Sequence, residues 1–293
     1  MRSSRLELPN FASASVSASA LDLILAPRPV PLVMGVVNVT PDSFYAASRF
    51  PSREAAVERA LRMAEEGAEL FDVGGESTRP GSDGVTEAEE LSRTIPVLEA
   101  LAARLRAPLS IDTSKAAVAR AALAAGASIL NDVSALRQDS AMAEAARGFE
   151  AVILMHRGGG GPKTMQKRPS YEDVVAEVFA FLRERKAAFA AAGGDCRRVL
   201  VDPGIGFGKD LGHNLSLIKH VAEFSKLGPV VLGVSRKSFL GGIHPDRGPE
   251  ERLEGSLACA CWSALAGVRV LRVHDVRETR RALEVLAAVG NAR

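Results

Sequence analysis

The chain alternates regularly between short apolar runs and helical segments after residue 31, and this alternation sets its fold class. Runs rich in valine, leucine and isoleucine are typical of buried parallel strands; they span 32–37, 70–73, 109–111, 128–130, 151–155, 199–201, 230–234 and 268–273. A segment with helical spacing follows each run, at 53–66, 87–104, 115–125, 140–147, 171–192, 211–226, 250–266 and 276–288. Eight such units in about 260 residues match the size of a (β/α)8 TIM barrel.

One alternative stays open, because alternation does not show that the sheet closes: a doubly wound open sheet has the same pattern. No composition break or long linker divides the chain, so we predict a single α/β domain, the TIM barrel, over residues 31–293. Residues 1–30 are predicted to form a tail and a capping hairpin, with Leu21–Leu25 as a short strand or hairpin arm. Glu7, Pro9 and Asp22 interrupt any apolar stretch there, which argues against an export signal.

Charge and cysteine content exclude several classes of protein. Lysine and arginine total 37 against 35 acidic residues, a net charge of +2, whereas nucleic-acid coats and membrane-surface proteins need a basic excess. No apolar stretch approaches the roughly 18 residues that span a bilayer. The three cysteines form no CxxC pair, so we expect neither a disulfide framework nor a zinc ribbon, and we predict a reducing cytoplasm as the location.

Polar residues lie at or just after the end of every strand run: Asn38, Asp72, Asp112, Asn131 and Asp132, His156, Asp202, 235–237 and 272–274. In a barrel, the carboxyl ends of the strands carry the active site. Aspartate, asparagine and serine at such positions also serve as helix caps or turn residues. Lys237, Arg272 and His274 are not needed for capping, so the whole set favours a polar pocket.

Eight motifs in order carry a closer resemblance. They are MGVVNVTPDSF at 34–44, GESTRPG at 75–81, SIDT at 110–113, ND at 131–132, MH at 155–156, DPGIGFGK at 202–209, SRKSF at 235–239 and RVHDV at 272–276. With these motifs the chain resembles the dihydropteroate synthases of folate biosynthesis over nearly the whole barrel. The resemblance implies a TIM barrel, usually a homodimer, that joins 6-hydroxymethyl-7,8-dihydropterin diphosphate to p-aminobenzoate. The products are 7,8-dihydropteroate and diphosphate, the cofactor is Mg²⁺, and the mechanism is dissociative (SN1-like).

The resemblance also implies a pterin-binding set: Asp112, Asn131, Met155, Asp202, Phe207, Lys237 and Arg272. A pterin has a guanidine-like edge with two adjacent donors, which suits a carboxylate that accepts both hydrogen bonds. That carboxylate is expected to be Asp202, with Asn131 beside it. Lys237 is expected to donate to the pterin carbonyl oxygen, and Arg272 to stack its planar guanidinium on the ring.

Two further sets follow from the same resemblance. Diphosphate is assigned to Asn38, Thr78, Arg272 and His274, with Asn38 as an oxygen ligand of Mg²⁺. The p-aminobenzoate pocket is assigned to Phe44, Arg79, Pro80, Phe207, Lys237 and Ser238. The residues expected to act in catalysis are Asp112, Lys237, Arg272 and His274, and His156 is left outside this set.

One loop departs from the family pattern. The first family motif commonly continues with Ser-Asp-Gly-Gly, whereas this chain has YAASR at 45–49, without the carboxylate or the glycines. The departure puts the closing motion of this loop in doubt, but not the pterin pocket. Two alternatives stay open: a pterin-dependent methyltransferase barrel, which should lack the SRKS and STRP motifs, and a non-catalytic paralogue that only binds pterin.

Overall fold

The strands of the computed structural model form a nearly closed barrel. The structure describes residues 19–39, 53–77, 84–159, 169–246 and 248–292. Eight parallel strands pair in the order β6-β5-β4-β3-β2-β1-β8-β7, and a parallel bridge between Val201 and Val230 joins the two ends of this order. Their bounds are β1 Leu32–Asn38, β2 Leu70–Gly74, β3 Leu109–Asp112, β4 Ile129–Asp132, β5 Ala151–Met155, β6 Val199–Asp202, β7 Val231–Leu232 and β8 Val270–Val273. The TIM-like barrel is therefore confirmed against the open sheet.

The helices follow the strands as predicted, with two divisions. They are α1 Ala20–Leu25, α2 Arg53–Glu65, α3 Glu87–Ala102, α4 Ala116–Ala124, α5 Met142–Ala146, α6 Val174–Ala191, α7 Leu211–Lys219, α8 Leu253–Leu265 and α9 Val276–Gly290. The predicted helix over 211–226 is divided, because His220 leaves helical geometry (φ −105°, ψ 21°) and a 3-10 helix follows at Val221–Lys226. The predicted helix over 250–266 starts as a 3-10 helix at Pro249–Glu251, and its α-helix begins only at Leu253, after Arg252 (φ −104°, ψ 12°). No helix within the described ranges is long and apolar enough to cross a membrane.

The N-terminal capping segment is a helix, so the prediction of a strand or hairpin arm at Leu21–Leu25 was wrong. Ser19 Oγ accepts a hydrogen bond from Asp22 N, and the Asp22 carboxylate accepts one from Ser19 N. This capping box satisfies free donors at the helix start and favours α1 over an extended arm. Ile24 and Ala20 are buried among strand residues, and Arg269, just before β8, donates to Ile24 O. The helix α1 thus covers the amino-terminal end of the barrel.

Side chains inside the barrel change from apolar to polar along four of the strands. Near α1 the interior is filled by Leu32, Met34, Leu70, Ile129, Ala151, Ile153, Leu200, Val231 and Val270. Side chains two positions apart point to the same face of a strand. The next inward positions therefore carry Asp72 after Leu70, Asn131 after Ile129, Asp202 after Leu200 and Arg272 after Val270. This places the polar residues in one layer at the carboxyl end of the barrel.

Candidate active site

A pocket of about 320 Å³ opens at the carboxyl end of the strands. It is lined by all seven residues assigned to a pterin, namely Asp112, Asn131, Met155, Asp202, Phe207, Lys237 and Arg272. Val133, Gly204, Ile205 and Gly233 complete the lining. Seven side chains from six strands or the loops after them thus meet around one space, as expected for the active-site end of a TIM barrel.

Arg272 is held between two carboxylates at the floor of the pocket. Its Nε donates to Asp72 Oδ2 at 2.6 Å, and its Nη2 donates to Asp112 Oδ2 at 3.0 Å. Asn131 Nδ2 also donates to Asp72 Oδ2, at 3.0 Å. One carboxylate therefore orients both Arg272 and Asn131, and directs the amide nitrogen of Asn131 away from the pocket.

Asp72 was among the polar residues at the strand ends, but we assigned it no role in the site from the sequence. It is fully buried, and the sequence signal was present, because a single aspartate interrupts the apolar run LFDVG of β2. Buried charged side chains are rare unless they are paired. An aspartate in a buried strand therefore predicts a cationic partner, here Arg272.

The pKa of Asp112 is strongly perturbed by its surroundings. Burial, followed by the nearby Asp72 carboxylate, raises the pKa of Asp112 from 3.8 to about 8, although Arg272 acts in the opposite direction. Asp112 Oδ1 and Asp72 Oδ1 are buried and have no hydrogen-bond partner among the described residues. A buried polar atom without a partner costs free energy, so a ligand atom that hydrogen-bonds to Asp112 Oδ1 would be bound favourably.

Asp202 ends β6 and leads into a glycine-rich loop over 203–208. Its Oδ1 accepts a hydrogen bond from Gly204 N at 2.7 Å. Burial raises the pKa of Asp202, whereas the positive charges of Lys237, Arg272 and Lys209 lower it. Gly204 has φ +70°, and a Cβ atom there would lie 1.8 Å from His156 O, so this sharp turn requires glycine.

The apolar walls come from Val133, Met155 and Phe207, which form one buried cluster. Lys237 Nζ lies 4.2 Å from the centre of the Phe207 ring, a cation–π contact. The turn that carries Val133 is held by Asp132, whose carboxylate accepts hydrogen bonds from Ser134 N and Leu136 N. Val133 had no sequence signal of its own, because it lies in a loop and not in a periodic segment.

The other predicted residues lie at the rim. Asn38 is the last residue of β1, and the exposed Ser238 begins a 3-10 helix after β7. His274 follows β8, and its Nδ1 and backbone N both lie 3.2 Å from Ser235 Oγ. None of these three lines the pocket. Phe44, Thr78, Arg79, Pro80 and the atypical loop at 45–49 lie outside the described residues.

The residues present fit magnesium only in part. Within the described ranges, no group of three or more His, Cys, Asp or Glu side chains could hold a metal ion. Asn38 supplies one amide oxygen, which is a hard ligand. Mg²⁺ usually keeps several waters and binds through few protein ligands together with substrate phosphates. The donor set therefore fits a magnesium ion that binds together with a diphosphate.

Comparison with known proteins agrees with this geometry. The family model described as "Pterin binding enzyme" matches residues 34–274. The dihydropteroate synthase of Escherichia coli K12 is 47% identical over 264 residues, which cover 90% of this chain and 93% of the relative.

Solved structures extend the likeness to the fold. The Xanthomonas albilineans dihydropteroate synthase with 4-aminobenzoic acid has a TM-score of 0.84 at 48% identity, covering 90% of this chain and 94% of that one. The same enzyme in complex with 7,8-dihydropteroate has a TM-score of 0.81 at 46% identity, covering 90% and 95%. The chain therefore belongs to the pterin-binding enzyme family, among the dihydropteroate synthases.

Proposed function

We propose that this enzyme joins 6-hydroxymethyl-7,8-dihydropterin diphosphate to p-aminobenzoate, giving 7,8-dihydropteroate and diphosphate. The observation that carries the proposal is the pocket in which Asp112, Asn131, Asp202, Lys237 and Arg272 converge. A flat heterocycle with donors on one edge and a carbonyl oxygen on another matches this mixture of buried carboxylates and cations. Ligands that solved relatives carry, 4-aminobenzoic acid and 7,8-dihydropteroate, belong to the same reaction.

Pterin recognition in the plane and on the faces of the ring is assigned to five side chains. The carboxylate of Asp202, supported by Gly204 N, accepts two hydrogen bonds from the guanidine-like edge of the pterin. Asn131, whose amide nitrogen donates to Asp72, presents its oxygen to the ligand. Lys237 donates to the pterin carbonyl oxygen, while Met155 and Phe207 pack on the ring. Buried charge-assisted hydrogen bonds of this kind give both affinity and orientation.

The bond that breaks joins the methylene carbon to a diphosphate oxygen, and its electron pair leaves with the diphosphate. The electron-rich dihydropterin ring delocalises the resulting positive charge. A carboxyl group whose pKa is raised by burial becomes charged most readily beside a cation. Asp112 therefore stabilises the cation more than the ground state, which lowers the barrier. The arylamine lone pair then bonds to the methylene carbon, and the nitrogen releases a proton to solvent.

The departing anion is assigned to Arg272, His274, Asn38 and Thr78. Asn38 is the residue that would hold Mg²⁺ together with the diphosphate, and the ion would neutralise negative charge on the leaving group. Arg272 is fixed by Asp72 and Asp112, so it loses little freedom when the anion binds. The p-aminobenzoate pocket is assigned to Phe44, Arg79, Pro80, Phe207, Lys237 and Ser238.

We also propose that the protein is a homodimer. Neighbouring helices α8 and α9 expose Trp262 and Leu265, at 53% and 75%, and Val285 and Val289, at 64% and 69%. Large apolar side chains grouped on a surface mark an interaction site more often than a solvated face. A reducing cytoplasm, in which the three free thiols stay reduced, is the location that we propose.

Turnover with both substrates and Mg²⁺ is the decisive experiment. We expect stoichiometric release of diphosphate and formation of 7,8-dihydropteroate, and no reaction when p-aminobenzoate is omitted. Well-folded protein that binds the pterin but releases no diphosphate would identify a non-catalytic paralogue. Methyl transfer to or from a pterin, without arylamine coupling, would identify the methyltransferase alternative.

A further inference from the structure

A buried lysine beside the pocket takes part in no step of the proposed reaction. Lys209 follows the glycine-rich loop and is 3% exposed. Its Nζ lies 2.9 Å from Gly204 O, 3.0 Å from Phe207 O and 2.9 Å from His156 Nδ1. An ammonium group has three hydrogen-bond donors and no acceptor. The three short contacts therefore match its three N–H groups.

The contacts define the roles of both side chains. Two of the three partners are backbone carbonyls, which only accept, so Lys209 is the donor. When Lys209 is an ammonium, His156 Nδ1 accepts the third N–H, and the ring proton of His156 lies on Nε2. Burial, followed by the charge of Lys209, lowers the pKa of His156 to about 2, so the ring is neutral. Burial also lowers the pKa of Lys209 from 10.5 to about 7, while the carboxylate of Asp202 acts against this.

The loop that Lys209 holds has little conformational preference of its own. Gly204, Gly206 and Gly208 all have positive φ, at 70°, 83° and 64°. Glycine adopts positive φ angles about as readily as negative ones. Lys209 Nζ donates hydrogen bonds to both Gly204 O and Phe207 O, which lie near the two ends of the loop. In the same loop, Gly204 N donates a hydrogen bond to Asp202 Oδ1, and the ring of Phe207 lines the pocket.

We propose that Lys209, with His156 as its acceptor, is a positioning residue that sets pterin affinity by holding Asp202 and Phe207 in their binding geometry. This inference rests on the proposed function of the pocket. Its effect falls first on pterin binding, because Asp202 is assigned to the pterin alone, whereas Phe207 is assigned to both substrates. Once pterin is saturating, the loop is held by the ligand, and the arylamine step changes little.

The first test compares Lys209→Met with Lys219→Met, which changes an exposed lysine of α7. Methionine keeps most of the length but donates no hydrogen bond. We expect the dissociation constant for pterin diphosphate, measured by calorimetry, to rise at least about tenfold in Lys209→Met, as for one lost charge-assisted hydrogen bond. The KM for p-aminobenzoate at saturating pterin diphosphate should stay near that of the wild type. A folded Lys209→Met variant with wild-type pterin affinity would overturn the inference.

The second test uses His156 and needs no change at Lys209. His156→Asn places an acceptor oxygen near the position of Nδ1, whereas His156→Phe keeps the ring packed against the edge of Phe181 but removes the acceptor. A positioning role predicts that Asn retains more pterin affinity than Phe, and a packing role predicts the reverse. Phe as the milder change would therefore refute the inference, even if Lys209→Met fails to fold. Wild-type protein that binds no pterin diphosphate would instead overturn the proposed function.

Discussion

Replacing Asp112 by asparagine tests the electrostatics of the pocket through protein stability. Asp112 Oδ2 accepts a hydrogen bond from Arg272, and burial with the Asp72 carboxylate raises its pKa from 3.8 to about 8. Asparagine has the same shape and keeps an oxygen for Arg272, but it has no proton to release in this range. The variant therefore removes one titration and leaves the packing in place.

The size of the effect follows from proton linkage. Between pH 3.8 and about 8, the folded protein holds a proton at Asp112 that the unfolded chain has released. The contribution of this proton to stability is fully present below pH 3.8 and is lost as the pH rises through about 8. Each pH unit inside the window lowers the free energy of unfolding by about 1.4 kcal/mol. From about pH 5 to about pH 7, the difference between wild type and Asp112→Asn should change by about 3 kcal/mol, in favour of the variant.

Urea unfolding at several pH values measures this difference directly. Asp195→Asn is the matched control, because Arg197 lowers the pKa of exposed Asp195 to about 2. The stabilisation from Asp195 is present above pH 3.8 and is lost as the pH falls through about 2, so its curve should run parallel to wild type from about pH 5 to about pH 7. Asp112→Asn should also lose most turnover. A constant stability difference for Asp112→Asn over this range would show that Asp112 is ionised in the folded protein, and the reasoning would be refuted.

Three more outcomes are expected. Asp202→Ala should fold but lose about 2–5 kcal/mol of pterin affinity by calorimetry, because it removes one partner of a buried charge-assisted pair; near-normal affinity would exclude the assigned role. The enzyme should bind p-aminobenzoate, and sulfonamides that mimic it, detectably only when diphosphate or pterin diphosphate is present, because bound diphosphate would anchor Asn38, the last residue of β1, just before the segment that carries Phe44. Equal affinity without diphosphate would mean that the second pocket is preformed. Trp262→Lys should convert a dimer to a monomer, as measured by sedimentation, and leave the circular dichroism spectrum unchanged. The control Leu25→Lys, also at an exposed apolar residue but on α1, should stay dimeric. A Trp262→Lys protein that remains dimeric would place the interface elsewhere.

The strand-and-helix order and the place of the pocket were readable from local pattern. An apolar run of three to six residues followed by a helical segment reports on burial and periodicity within one stretch of chain. The carboxyl ends of parallel strands then meet at one edge whatever lies between them. For this reason the sequence alone could place four residues together, each at or near a strand end: Asp112, Asn131, Asp202 and Arg272.

Pairings between distant residues could not be read in this way. Asp72 and Arg272 are 200 positions apart, and they meet only because β8 and β2 flank β1 and the barrel turns both side chains inward. Lys209 lies two residues from Phe207 in sequence, but its third partner, His156, comes from the loop after β5.

The helical conformation of α1 was only partly readable from the local sequence. Ser19 and Asp22 form a capping box that the sequence displays, yet the short segment also fits an extended arm. Burial of Ala20 and Ile24 against the barrel interior resolves this ambiguity. Local pattern determines which segments can be strands or helices, whereas the pKa of Asp112 and the orientation of Arg272 depend on charges and burial that exist only after the barrel has formed.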